Sequence, residues 1–370
     1  MRILGLTQGD PFSPHSWSGC NRGLFTALQR LGSLAAVHDV EVYGFRKYLD
    51  IACSLSYPMK RWRQNHLKSS RMFMWRSSNA EQLLARSGKD WDAVLQIGAM
   101  FSVNYNKPFA SYMDSTALLS MQGGAHSFSA YANQSLVAQA IERERQIYHR
   151  AAVLFTMSEQ TKRSLVDGYG IEPNRVHVAH PGPNIDIPRE IPPKMKSDDV
   201  LFIGKDFARK GGEVLLQAFS LVRRDAPSAR LHVVGTTLPR AIDGVQVHGF
   251  VNKQTPEGAA YLSDLFTRAA VFVMPSFFEP FGIPFIEAMY HGTPCIGTTI
   301  GAIPEIIVDR ETGYLVPPGD PTALAELILL LLTNHDLVRS MGSSGLRRAQ
   351  HMFSWDNAAL RITSALAEAS

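Results

Sequence analysis

Residues 270–298 read AVFVMPSFFEPFGIPFIEAMYHGTPCIGT. The apolar run AVFVMP (270–275) predicts a buried strand, and the Phe/Pro/Gly-rich stretch after it predicts a loop. Pro284 suits a first helical turn, where its missing N–H would be unpaired anyway, so a helix is expected over 284–290. PCIGT (294–298) is a second strand, and the whole is one βαβ unit. The amides of Phe281, Gly282 and Ile283 then sit at a helix mouth, where free N–H groups and the positive dipole end suit an anion such as a diphosphate. Gly282 lets a ligand approach the backbone closely. Glu279 precedes the mouth and Glu287 lies about one turn inside it. Carboxylates repel phosphate, so their partners are hydroxyls. The economical ligand is hydroxyl-rich at both ends with phosphate between, a nucleotide diphosphate sugar. The plainer alternative is that both acids only complement the helix dipole.

The same alternation runs outward in both directions. Strands are expected at 3–6, 40–45, 93–99, 109–113, 152–157 and 176–179, with helices at 19–31, 134–149 and 159–167. Residues 180–196 hold Pro181, Pro183, Pro188, Pro192 and Pro193, which neither sheet nor helix tolerates, so they read as a linker. Strands at 199–204, 229–235, 245–250, 270–275 and 294–298 follow, with helices at 212–224, 261–268, 284–290, 321–333, 337–349 and 355–369. The expected architecture is α/β: two doubly wound Rossmann-like domains, 1–183 and 184–354, with 355–370 packing back on the first and a cleft between the halves.

Composition narrows the function. A chain of 370 residues, 45% hydrophobic and 19% charged, is ordinary globular stock. The net charge of +4 is local. Between Asp50 and Glu81 there is no acid, while Lys60, Arg61, Arg63, Lys68, Arg71 and Arg76 fall in that gap. One basic patch is expected rather than a nucleic-acid binder. Residues 60–76 interleave it with Trp62, Phe73 and Trp75. A solvated loop and helix is the plain reading; peripheral contact with an anionic membrane is the functional one. Three scattered cysteines and a polar residue by Thr7 point to a reducing compartment and a first strand rather than a signal peptide, hence a cytoplasmic protein. No G-x-G-x-x-G follows the first strand and no Walker A sequence occurs, which disfavours nicotinamide, flavin and P-loop chemistry.

With these residues in view, the chain resembles the retaining glycosyltransferases of the GT-B fold, glycosyltransferase family four. Glu279 and Glu287 within EPFGIPFIEAM resemble that family's E-x7-E signature. The likeness continues in GAIPEII (301–307), TGYLVPPGD (312–320), FIGKDFARKGGEVLLQAF (202–219), WSGCNRGLFTAL (17–28) and VLFTMSEQTKRSLVDGYGIEPNRVHV (153–178).

The resemblance implies a hexosyltransferase with two facing domains, using a UDP- or GDP-sugar as co-substrate and needing no metal or other cofactor. It implies that Glu279 bonds donor-sugar hydroxyls, that the Phe281, Gly282 and Ile283 amides hold sugar and phosphate oxygens, and that Glu287 grips the ribose diol. Lys205 and Lys210 would neutralise the departing diphosphate, with Arg209 a competitor for either role. The base would lie near 249–251, ending at Val251, and Gly19 would let its loop close over the phosphates. Two departures stand out. The family usually has Gly-Arg where this chain has Gly204-Lys205, which loses the bidentate fork. Where many members place a His, this chain has SYMDS (111–115), leaving Asp114, or His126 in GGAHS (123–127), to face the acceptor or serve structure. Asp90-Trp91-Asp92 precedes a strand rather than following one and reads as a surface turn. An isomerase or epimerase on the same fold and a non-catalytic nucleotide-sugar binder are the rival functions.

Overall fold

The computed structural model describes residues 1–369 except Lys89, Phe128, Tyr131 and Gln254. The chain divides into two units, Met1–Pro181 with Trp355–Ser370, and Gly182–Ser354.

The first unit is built on a parallel sheet of β1 (Ile3–Thr7), β2 (Leu34–Asp39), β3 (Ala93–Ile97), β4 (Phe109–Met113), β5 (Val153–Thr156) and β6 (Val176–Val178), in the order β2-β1-β3-β4-β5-β6. Every residue of β1, β3, β4 and β5 is buried, as a sheet covered by helices on both faces requires. Leu4, Leu6, Val94, Phe101, Leu154 and Tyr148 form its core. Helix Trp355–Glu368 packs on helix Cys20–Arg30. Gly23 makes room for it, since a Cβ there would lie 2.3 Å from the Trp355 indole nitrogen.

The second unit repeats the plan with β7 (Asp199–Ile203), β8 (Arg230–Val234), β9 (Val245–Gly249), β10 (Val271–Val273), β11 (Cys295–Thr298) and β12 (Gly313–Val316), in the order β12-β11-β10-β7-β8-β9. Phe272 meets Phe285 edge to face and Phe266 at a tilt in its core, 5.4 and 5.7 Å between centroids. The strand order reverses direction between β7 and β10 here, and between β1 and β3 in the first unit. Such switch points open a crevice at the strands' carboxyl ends. The proline-rich segment is anchored by Lys194, whose buried ammonium donates to the carbonyls of Phe266, Thr267 and Ala269 at 2.7–3.0 Å. Burial pulls its pKa down to about 7.

Three local expectations are corrected. The second strand is 34–39, not 40–45. After helix Cys20–Arg30 the chain turns at Gly32 (φ 67°) and pairs with β1 at once, Ile3 N–H to Ser33 O at 2.7 Å. Val40 and Val42 are buried beyond the strand's end, so their apolar pattern belongs to a packed loop. Gly44 then admits a helix over Phe45–Cys53. A sixth strand, β12, closes the second sheet inside the TGYLV motif. Helices Pro256–Arg268 and His335–Met352 begin earlier than their apolar spacing suggests. Side chains of Thr255 and Asn334 cap them, accepting from Gly258 N (3.1 Å) and Leu337 N (3.0 Å).

Candidate active site

The loops that follow β7 and β10 meet at the second unit's switch point. Two glycines allow it. Gly211 (φ 73°) starts helix Gly212–Asp225, and a Cβ there would fall 1.9 Å from the Pro275 carbonyl oxygen. Gly204 leaves space for the Lys210 stem, since a Cβ would lie 2.5 Å from Lys210 Cδ. The Phe277 N–H donates to Arg209 O at 2.9 Å and joins the loops. The outcome is a compact charge cluster. Lys210 Nζ lies 2.9 Å from Glu279 Oε2 and 3.2 Å from Met274 Sδ. Arg209 Nη1 lies 3.6 Å from the same carboxylate and donates to Phe278 O at 2.6 Å. Burial pushes the Glu279 carboxyl up, but the charges of Lys210 and Arg209 and the hydrogen bonds from Lys210 and Ser276 outweigh it and hold its pKa below the ordinary value. Glu279 is thus a buried, ionised carboxylate facing two cations. Arg209 and Lys210, rivals on sequence, share it.

Gly282 (φ 112°) is the N-cap of helix Ile283–Tyr290 and offers no side-chain cap, with Pro284 in the first turn. Phe281 is buried against Phe353, 6.2 Å between centroids. Glu287 is buried inside this helix and accepts from the Asn184 N–H at 3.1 Å. Its environment therefore differs from that of Glu279, a backbone donor replacing two cations. The linker contact through Asn184 has no sequence signature, because it joins positions 103 residues apart.

Lys205 is not part of the Glu279 cluster. Its Nζ lies 4.6 Å above the Phe250 ring. Beside it the ends of β7, β8 and β9 crowd together on glycines. Gly235 N–H donates to Gly249 O at 2.6 Å, and a Cβ on Gly235 would sit 3.1 Å from the Gly204 carbonyl. Val251 follows directly on this backbone-lined edge.

In the first unit, Trp17 and Ser18 have left-handed backbones (φ 46° and 58°) ahead of Gly19 (φ 98°), the N-cap of helix Cys20–Arg30. Left-handed non-glycine residues carry strain that surrounding contacts must hold in place. Here the Trp17 indole donates to Asp114 Oδ2 at 3.1 Å and meets Tyr112 edge-on at 5.6 Å. The Gly19 loop is thereby tied to Asp114. Asp114 also lines a cavity of about 170 Å³, together with Lys68, Arg76, Thr116, Arg143 and Glu144. His126 lies apart, exposed in the 3-10 turn Gly124–His126. Burial pushes the Glu144 carboxyl up to about 7, against hydrogen bonds from Tyr169 and Ala117 and the charge of Lys68.

The basic stretch is redistributed by folding. It forms two helices, Met59–Leu67 and Ser70–Arg86. Arg76 is withdrawn into an ion pair with Glu41 (3.1 Å), Arg71 into one with the buried Asp50 (2.9 Å), and Lys68 turns to the cavity. Trp62 bonds Ile51 O at 2.8 Å, and Phe73 lies under Arg143. The exposed apolar side chains come instead from just upstream: Tyr43, Phe45 (79% exposed), Tyr48, Leu55, Tyr57 (92%) and Met59. Asp90 and Asp92 sit at an exposed edge, bonded to Arg2. Among the described residues no group of three or more His, Cys, Asp or Glu side chains is placed to hold a metal ion.

A pair of six-stranded parallel sheets, each with a switch point at its carboxyl edge, defines the GT-B class of fold. Solved structures bear this out. Sucrose-phosphate synthase from Thermosynechococcus elongatus superposes with a TM-score of 0.73 over 100% of this chain and 99% of that one, at 20% identity. Anabaena Alr3699/HepE in complex with UDP and glucose gives 0.66 over 99% of each chain, at 15% identity. Residues 197–334, within the second unit, match the family described as "Glycosyl transferases group 1". D-inositol 3-phosphate glycosyltransferase of Streptomyces scabiei is 30% identical over 240 residues, covering 58% of this chain and 54% of its own length. MMP alpha-(1->4)-mannosyltransferase of Mycolicibacterium hassiacum is 27% identical over 227 residues, covering 59% and 54%. The chain spans about half the length of the curated relatives it matches.

Proposed function

We propose that the protein is a retaining hexosyltransferase that moves a sugar from a UDP- or GDP-sugar to an acceptor hydroxyl. The observation that carries this is the buried Glu279 carboxylate set against Lys210 and Arg209, beside an uncapped helix mouth, at the switch point of the unit that holds the group 1 glycosyltransferase match. The named activities of the relatives and the UDP in the HepE complex support it.

In this reading the bond from the donor's anomeric carbon to the diphosphate oxygen breaks, and its electron pair leaves with the nucleotide diphosphate. The acceptor oxygen bonds the same carbon on the same face, and its proton passes to a phosphate oxygen. Lys210, Arg209 and the amides of Phe281, Gly282 and Ile283 stabilise the charge growing on the leaving group, the largest single contribution such a site can make. Lys205 assists at the diphosphate. Glu279 orients the sugar through its hydroxyls and Glu287 the ribose diol, while the base lies on backbone at Val251. The first unit takes the acceptor, with Asp114 facing it and the Gly19 loop above. The cations meeting the diphosphate are side chains, so the scheme calls for no metal.

Donor turnover tests it. Wild type given UDP- or GDP-sugars and a panel of polyol acceptors should release nucleotide diphosphate and form glycoside. Glu279→Ala and Lys210→Ala should each lose about 100-fold or more while staying folded. Near-normal turnover in either variant sinks the site. Donor isomerised without an acceptor would point to an epimerase, and binding without release to a non-catalytic binder.

We further propose that the protein works in the cytoplasm, peripheral to a membrane. The contact lies upstream of 60–76, at the exposed side chains of Phe45, Tyr48, Leu55, Tyr57 and Met59. Arg46 and Lys47 lie in this segment, Lys60, Arg61 and Arg63 follow it directly, and its one acid, Asp50, is buried and paired. Exposed aromatics beside a run of cations match an anionic lipid surface. Among the described residues no single helix is long and apolar enough to cross a membrane. Salt-sensitive co-sedimentation with anionic vesicles, weakened by Phe45→Ser with Tyr57→Ser, is expected; sedimentation unchanged by that pair contradicts it.

A further inference from the structure

Helix His335–Met352 packs along helix Ile283–Tyr290. Glycines set the contact. A Cβ on Gly342 would lie 2.0 Å from Gly292 O, and one on Gly345 would lie 3.3 Å from Met289 Cγ. Near the end of this helix stands the half-buried Arg348. Its guanidinium forks: Nε donates to Ile306 O at 2.9 Å and Nη2 to Glu305 O at 2.8 Å. These carbonyls end the one-turn helix Ile303–Ile306, which has no further turn to satisfy them and is too short to stand alone. The cation also complements the negative end of that turn. The same guanidinium lies 5.9 Å from the centroid of the Phe353 ring. Among the described residues it forms no ion pair; burial pulls its pKa down and the charge of Glu311 opposes that.

Both partners of Arg348 lead to the helix mouth. The Phe353 ring meets Phe281 edge-on at 6.2 Å. The Phe353 backbone is fixed as well, its N–H donating to Ala349 O and its carbonyl accepting from the Tyr290 hydroxyl, each at 2.9 Å. On the other route, Ile303, Ile307 and Phe285 close over Gly297, where a Cβ would lie 2.6, 3.0 and 3.0 Å from them. Phe285 in turn crowds Gly282, 2.9 Å from the place its Cβ would take. One side chain thus braces residues 281 and 282 from two directions. A lysine would supply the charge, but only the planar fork ties two carbonyls and a ring at once. We propose that Arg348 is a positioning residue for the donor. Through Phe353 and the 303–306 turn it holds the Phe281 and Gly282 amides aimed at the diphosphate, where preorganised donors count most. This inference rests on the reading of the mouth as the diphosphate site.

The test is calorimetric titration of the intact chain with UDP, GDP, UMP and GMP, beside melting curves. Arg348→Gln should weaken binding of the diphosphate that wild type takes at least about tenfold, a loss of about 1.4 kcal/mol, and binding of the matching monophosphate about threefold or less. Phe353→Leu keeps the fork and removes the ring edge. It should show the same selective loss in smaller measure, and it carries the test if Arg348→Gln does not fold. Arg348→Lys keeps the charge but reaches one carbonyl at a time, so it should restore only part of the loss. Arg347→Gln, exposed on the same helix, should bind as wild type. Full recovery in Arg348→Lys would reduce the effect to charge alone and overturn the proposal. Equal losses for di- and monophosphate, the mark of a merely structural role, overturn it too, as does undiminished diphosphate binding in both Arg348→Gln and Phe353→Leu. Any of these beside normal wild-type binding removes Arg348 from the site and leaves the transferase reading standing. Wild type that binds no nucleotide diphosphate removes that reading itself.

Discussion

The two units carry the same sheet plan but build their polar sites in opposite ways. In the second unit, Lys210, Arg209 and Glu279 come from two loops that start or end at adjacent strands, and every charge there has a partner within 4 Å. In the first unit, Lys68, Arg76, Arg143 and Glu144 come from three helices, and the cations outnumber ionised acids. A site made by neighbouring loops is compact and internally balanced. A site made by distant helices leaves its charges less evenly paired, the buried Arg76 Nη1 without a partner and Arg143 on neutral oxygens.

The sharpest way to break this contrast is at the balanced cluster. Lys210→Ala and Glu279→Ala should reduce transfer by two orders of magnitude or more, measured as nucleotide release, because each removes charge stabilisation made in the transition state. Next is the backbone that creates the cluster. Gly211→Ala forces a Cβ against Pro275 O at a left-handed φ and should cost on the order of 3 kcal/mol or more in thermal unfolding. Gly170→Ala, also left-handed (φ 70°) but in open space, should cost about 1–2 kcal/mol. Equal costs at the two positions would show that the loop junction is not tightly constrained.

The first unit gives a pH signature. Glu144 is raised from 4.5 to about 7, so over that window the unfolded chain releases a proton that the folded one keeps. Stability should therefore fall as pH rises from about 4.5 to about 7, and Glu144→Gln should flatten that slope in melting curves. Glu279 has the opposite sign, its lowered pKa giving stability that is lost only as pH falls below the usual carboxylate range. The smallest effect is expected from Lys205→Arg, since Lys205 rests on Phe250 rather than in the cluster. A change in kcat/KM of about threefold or less is expected; a large gain would bring residue 205 to the centre of the diphosphate grip.

What was legible in the sequence follows the same division. Glu279, Gly282, Pro284 and Glu287 lie within nine consecutive residues, so helix-start chemistry alone places them at one mouth. Lys210 was readable from the glycines after it. That Arg209 shares Glu279 was not, because two adjacent cations before a helix look interchangeable until the loop closes. The cation cavity was invisible, since Lys68 and Arg76 look like surface charge in an acid-free stretch while Arg143 and Glu144 sit in a helix 67 or more residues away. The shifted second strand has the same origin. Val40 and Val42 pack as loop residues on a core that only the tertiary fold defines.

The central claim, that Glu279 and Lys210 hold a nucleotide diphosphate sugar, is tested most directly by a thermal-shift titration of wild type, Glu279→Ala and Lys210→Ala against UDP-, GDP- and ADP-sugars. The account predicts that one of these donors raises the wild-type melting temperature, by about 2.7 kcal/mol of stabilisation at a hundred times Kd, and that both variants lose the shift. No shift with any donor, or equal shifts in all three proteins, would contradict it.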